Sequence, residues 1–310
     1  MSLALTFMGT PDFALPTLAK LLAAGHRILS VYTRPPAQAG RGLGERLSPV
    51  HRFALDRGLQ IETPASFKTD EAQRAFLERR PDAAIVVAYG LILPGPVLAG
   101  SRFGSYNLHA SLLPRWRGAA PISRAIMAGD ERTGVTIMRM TQGLDEGPIC
   151  LSEAVPIGSG ETAGELHDRL AQRGAALMIA ALDRLERGAL IETPQPEKGI
   201  TYAAKIDKSE TRLDFADPAA QVLSRIHGLS PQPGAWCGLS RDGRHHRLKI
   251  LKAELASGGG RPGQIIDADF AIACGQGALR PLLVQRQGKS PLPRAEFLRG
   301  MALLPGDRLE

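Results

Sequence analysis

The apolar stretch "GSYNLHA" ends in an amide and an imidazole two residues apart, Asn107 and His109. On a β-strand alternate residues share a face, so the two side chains project together, near the strand end where open parallel sheets place their ligands. An amide donor steadies a developing oxyanion while an imidazole moves a proton, which is the chemistry of acyl transfer. The pair by itself is equally consistent with a strand end capped by two polar side chains. A carboxylate would tip the balance, and "GLDEGP" offers Asp145 in a turn bracketed by Gly143, Gly147 and Pro148. Such a group can orient His109 and stabilise its protonated form. An Asp in a glycine-rich turn is also a common turn-former.

Directly after His109, "SLLPRWRG" reads as a binding wall. Ser111 and the proline fix an irregular backbone whose amides and carbonyls are expected to stay free for a ligand, and Leu112, Leu113 and Trp116 offer apolar surface. Arg115 and Arg117 suit carboxylates or phosphates, though arginines beside a tryptophan often simply cover the ring.

Strands and helices must hold these groups. "LALTFMG", "RILSVYT" and "AAIVVAYG" read as buried strands, with "TPDFALPTLAKLLAAG", "LSPVHRFALDRG" and "TDEAQRAFLERR" as helices between them. Thr10 is expected to cap the first helix, with Gly25 at its end. Strand–helix alternation implies an open, mostly parallel sheet. The turn "FMGTPDF" carries Gly9 alone, so it is a strand-to-helix turn and not a dinucleotide fingerprint. "GVTIMRM" adds a strand, and residues 161–188 a long amphipathic helix ending at Gly188. Residues 189–206, with several Pro and Gly breaks, read as a linker. Residues 207–310 hold one helix ("DPAAQVLSRIHGL") and then short β-like runs, including "GQIIDAD", which suggest a small barrel of the oligonucleotide-binding type.

A length of 310 residues makes two domains the expectation. No apolar run approaches the roughly 20 residues needed to span a bilayer, and the N-terminus lacks a secretory signal, so a cytoplasmic protein is expected. The formal net charge of +7 favours polyanionic partners. Cys150, Cys237 and Cys274 lie far apart without zinc spacing and read as buried thiols. Adjacent His245 and His246 would face opposite sides of one strand, so no metal is expected.

Taken together in order and spacing, "GTPDFA", "VVAYGLILP", "NLHASLLPRWRGAAPI", "TGVTIM" and "GLDEGP", followed by "YAAKI", "LDF", "PGAW" and "PGQI", resemble the methionyl-tRNA formyltransferase family over nearly the full chain. The resemblance implies a Rossmann-like formyltransferase domain (1–188), a linker (189–206) and a C-terminal β-barrel that binds tRNA (207–310). It implies 10-formyltetrahydrofolate as formyl donor and initiator methionyl-tRNA as acceptor, with no metal, no DNA and a monomeric enzyme. Carried over residue by residue, it places catalysis on Asn107, His109 and Asp145, and the folate loop on Ser111, Leu112, Leu113 and Pro114.

The tRNA has two expected surfaces. The Gly- and Pro-rich loop 34–49 carries Arg34, Arg41 and Arg46 and resembles the family's inserted loop that meets the acceptor end. In the barrel, "RDGRHHRLKILK" concentrates Arg244, Arg247 and Lys249, together with Arg241 and Lys252, along a phosphate-sized path. A solvated loop is the plain alternative for the first. Two rival functions remain at this point: another folate-dependent formyltransferase or hydrolase acting on a nucleotide or nucleotide-sugar amine, and a non-enzymatic RNA-binding protein.

Overall fold

A computed structural model describes residues 2–39, 44–241 and 244–310. Arg41 lies outside the described residues, as do the side chains of Arg241 and Arg244. The chain divides into two compact units. The first comprises Met1–Gly118, Thr133–Val155 and His167–Tyr202; the second comprises Ala119–Arg132, Pro156–Leu166 and Ala203–Glu310.

The first unit is built on a seven-stranded sheet with the order Ile149–Pro156, Arg132–Arg139, Ser105–His109, Ala83–Val87, Ala4–Gly9, Arg27–Tyr32, Ile61–Glu62. The pairs from 105–109 through 61–62 are parallel, and 132–139 runs antiparallel to 105–109. All five residues of Ala83–Val87 are buried, as a β-branched strand covered on both faces requires. The chain leaves Ala4–Gly9 toward one edge and returns to Ala83–Val87 on its other side. Such a reversal is where doubly wound sheets open a crevice at their carboxyl ends.

Thr10 stands at that crevice and does not cap a helix. Its hydroxyl donates to the Tyr89 carbonyl at 2.8 Å, so the chain turns through a 3-10 segment, Asp12–Ala14, before the helix Leu15–Ala23. Elsewhere capping follows the expected chemistry: Ser48 accepts from the His51 amide and Thr69 from the Ala72 amide. The long helix Ala163–Glu186 crosses behind the Ser105–His109 strand. Gly174 makes the approach possible, because a Cβ there would fall 2.5 Å from Leu108 Cδ1. Leu108 thus takes the helix side of the strand and leaves Asn107 and His109 on the other.

In the second unit a small barrel forms. Its strands run Ala235–Arg241, Arg244–Ala256, Ala278–Arg286, Ile272–Ala273, with Leu292–Pro293 also against 278–286. Single bridges, Leu239 to Leu309, Arg308 to Gln264 and Ile265 to Ile272, carry the ring from the first strand back to the fourth. "GQIIDAD" therefore contributes bridges where a full strand was expected. The interior holds Ile226, Leu248, Ile250, Phe270 and Leu279, among others, and the helix Ala219–Gly228 contributes Val222 and Ile226 to it.

Candidate active site

Asn107 and His109 are both buried, and their register, Asn107 opposite Met138 and His109 opposite Thr136, fixes them on adjacent rungs of one strand face. Only 9% of Asn107 is exposed, at a strand end that faces the crevice. The His109 ring is engaged at both nitrogens. Nε2 lies 2.8 Å from the Trp116 carbonyl, and Nδ1 stands 3.5 Å from Asp145 Oδ2. A carbonyl only accepts, so Nε2 carries a proton, and Nδ1 donates to the carboxylate only when the ring is doubly protonated.

The bend 111–118 is more fully bonded than its sequence suggests. The Ser111 hydroxyl donates to Arg115 O, the Thr136 hydroxyl donates to Ser111 O, the Thr201 amide to Pro114 O, and the Trp116 amide to the Thr201 hydroxyl. Few of its carbonyls therefore stay free for a ligand, because the chain's own hydroxyls and amides reach them first. Ser111 and Leu113 are buried, whereas Leu112 and Pro114 are partly exposed. Trp116 adopts a left-handed φ of 64°, and the Arg115 guanidinium lies over its ring at 4.4 Å.

Asp145 also takes a left-handed backbone, φ 49°, which Asp tolerates better than most residues. Its Oδ2 accepts from the Gly118 amide at 2.8 Å, joining the turn to the end of the bend. Gly147 is required here, because a Cβ would overlap the Arg139 carbonyl oxygen.

Two residues of the 189–206 segment belong to this site and were not legible in the sequence. Gln195 accepts two hydrogen bonds from the buried Arg117 guanidinium and donates to the carbonyls of Asp145 and Gly147. Thr201 holds the Trp116 and Arg117 amides through its hydroxyl and carbonyl. Nearby, Cys150 is a buried thiol, pushed up to about 12 chiefly by burial.

The expected basic residues are distributed as follows. Arg34 is exposed and donates to the Gly90 carbonyl at 3.0 Å. Arg46 is exposed on a two-stranded ribbon, Ala37–Ala39 against Gly44–Arg46. In the second unit, Arg247 lies over the Trp236 ring at 3.9 Å, and Lys249 donates to Pro233 O. Lys252 is ion-paired with Glu165. His245, His246, Arg247, Arg286, Gln287 and Lys289 line one cleft. Both histidines border this cleft, and Arg286 and Lys289 join them from a neighbouring strand and its turn. Among the described residues no three potential metal ligands gather, and no helix is long and apolar enough to cross a membrane.

The formyl transferase family matches residues 1–182, and the formyl transferase C-terminal domain matches residues 205–302. A methionyl-tRNA formyltransferase of Sinorhizobium fredii is 54% identical over 310 residues, covering 100% of each chain. The chain belongs to the methionyl-tRNA formyltransferase family. A second methionyl-tRNA formyltransferase, from Chelativorans sp., is also 54% identical with 100% of each chain covered. Solved structures carry the same fold at lower identity. The Helicobacter canadensis N-formyltransferase in complex with folinic acid and dTDP-3-aminofucose aligns with a TM-score of 0.68 at 17% identity, covering 92% of this chain and 99% of that one. HypX from Aquifex aeolicus in complex with tetrahydrofolic acid aligns with a TM-score of 0.66 at 18% identity, over 96% of this chain and 47% of its own. The chain thus spans about half the length of HypX.

Proposed function

We propose that this protein transfers a formyl group from 10-formyltetrahydrofolate to the amine of initiator methionyl-tRNA, acting as a cytoplasmic monomer. The observation that carries the reading is full-length identity of 54% to methionyl-tRNA formyltransferases, joined to a site where Asn107, His109 and Asp145 converge. In this reading residues 1–188 form the catalytic domain, 189–206 the linker and 207–310 the tRNA-binding barrel.

The residues present suit a formyl donor. Asn107 offers a buried amide, and Leu112 and Pro114 offer partly exposed apolar surface on a bend held by Ser111 and Leu113. 10-Formyltetrahydrofolate supplies the activated formyl carbon. As the methionyl nitrogen bonds to that carbon and the bond to the folate nitrogen breaks, Asn107 and protonated His109 donate to the formyl oxygen, where negative charge builds. In this step the Nε2–H of protonated His109 leaves the Trp116 carbonyl for the substrate and its proton passes to the departing folate nitrogen; the neutral ring then takes up the proton released by the amine, while Asp145 keeps Nδ1–H oriented. Arg34, Arg41 and Arg46 would meet the acceptor end. Arg244, Arg247 and Lys249, extended by the cationic cleft of Arg286 and Lys289, would follow backbone phosphates.

The test is to incubate the protein with 10-formyltetrahydrofolate and charged initiator tRNA and to assay for a blocked amino group. Formylation of a nucleotide-sugar amine with none of the tRNA would overturn the assignment.

A further inference from the structure

Gln195 spends every hydrogen-bonding group of its side chain on the walls of the candidate site. Its single carbonyl oxygen receives Arg117 Nε at 3.0 Å and a terminal guanidinium nitrogen at 2.7 Å. Its amide nitrogen donates to Asp145 O and to Gly147 O, each at 2.8 Å. The amide orientation is fixed by chemistry, because a guanidinium only donates and a backbone carbonyl only accepts. Arg117 is buried, so its charge depends on this partner. The two carbonyls flank a turn whose Asp145 backbone is left-handed, a conformation that persists when its surroundings over-determine it.

From this arrangement we propose that Gln195 is a positioning residue for Asp145, fixing the turn so that the carboxylate stays between the Gly118 amide and the His109 ring. The inference rests on the reading of Asp145 as the group that orients His109. Gln195 acts through the backbone, on the carbonyl of Asp145 itself and on that of Gly147 two residues later. Nothing in the local sequence "TPQPEKG" shows this role, since the partners lie 48, 50 and 78 residues away.

Gln195→Glu is the discriminating substitution. A carboxylate keeps an acceptor for the Arg117 guanidinium, yet it sets a second oxygen against two carbonyl oxygens in place of a donor, so the turn is pushed away while Arg117 keeps its partner. The full-length protein is assayed with methionyl-tRNA and 10-formyltetrahydrofolate as Gln195→Glu, as Asp145→Asn, and as the double variant. The expected result is a fall in kcat of about ten- to a hundredfold for Gln195→Glu, as for a small displacement of a catalytic group, with KM for both substrates within about twofold of the parent. The double variant is expected to be no slower than Asp145→Asn alone, because both changes remove the same interaction. An unchanged kcat in Gln195→Glu, or losses that multiply in the double variant, would overturn the inference. Near-normal turnover in Asp145→Asn would instead overturn the reading of Asp145 and this inference with it. If Gln195→Glu lowers the thermal midpoint by more than a few degrees, Arg117→Lys replaces it in the same cycle; it keeps the charge and loses the fork on the Gln195 oxygen.

Discussion

The Asp145 carboxylate is held more closely by Gly118 than by His109: the Gly118 amide donates to Oδ2 at 2.8 Å, whereas His109 Nδ1 stands 3.5 Å from the same oxygen. The backbone therefore sets where the charge sits, and the imidazole comes to it. Asp145→Asn removes the charge while keeping the shape. Turnover is expected to fall about a hundredfold or more, as when an imidazole loses the group that fixes its proton, with tRNA affinity unchanged. Steady-state kinetics beside a tRNA-binding isotherm checks this, and a loss confined to affinity would contradict it.

Asn107 and His109 separate two contributions. Asn107→Ala removes one donor to the formyl oxygen, and a loss of about a hundredfold to a thousandfold in kcat is expected. His109→Ala removes both a donor and the proton carrier, so its loss is expected to be at least as large. Single-turnover measurements at saturating tRNA isolate the chemical step, and near-normal rates in either variant would remove that residue from the machinery.

The barrel makes an electrostatic prediction. Arg286 and Lys289 line the same cleft as Arg247. If each neutralises a phosphate, replacing either by Ala lowers the slope of log affinity against log salt by about one. Turnover at saturating tRNA is expected to stay constant. A slope equal to that of the parent would detach this cleft from the nucleic acid.

Lys252 and Glu165 give a pH-dependent pair outside the chemistry. Donation from Lys252 holds the Glu165 carboxyl down at about 2, aided by the Thr162 amide. A carboxyl depressed in the folded state stabilises the fold above its ordinary value of about 4.5, and that contribution fades as pH falls toward about 2. Both side chains are more than a third exposed, so solvent screening limits the effect to about 0.5 kcal/mol. Lys252→Met is expected to raise the Glu165 titration midpoint seen by carbon NMR and to lower the thermal midpoint slightly at pH 7 but not at pH 2.

The parts of this fold that can be read from sequence are those stabilised locally or by a simple pattern. Ala83–Val87 announces itself because a strand covered on both faces needs an unbroken β-branched run. The long helix 163–186 follows from its amphipathic spacing. The pairing of Asn107 with His109 on one face needs only strand alternation. Thr10 resembles a cap because a hydroxyl before a helix usually caps it, whereas here Tyr89, 79 residues away, offers a carbonyl that competes better. The strand Ile149–Pro156 and the short helices Pro121–Met127 and Arg294–Gly300 carry no clear signal in the sequence. Each is short or mixed in polarity, and tertiary packing decides it. Gln195 and Thr201 were unreadable for a related reason: polar side chains between prolines and glycines have no periodicity, and their partners come from distant loops.

The bonds made by residues 192–201 also decide where this chain can be cut and rejoined. A chimaera that exchanges the C-terminal portion at residue 189 would discard Gln195 and Thr201, and with them the anchors of the Arg117 side chain and the Trp116 amide. Joining after Tyr202 keeps both. Recombination between relatives is therefore freest just downstream of the stretch that looks, by composition, like the natural seam.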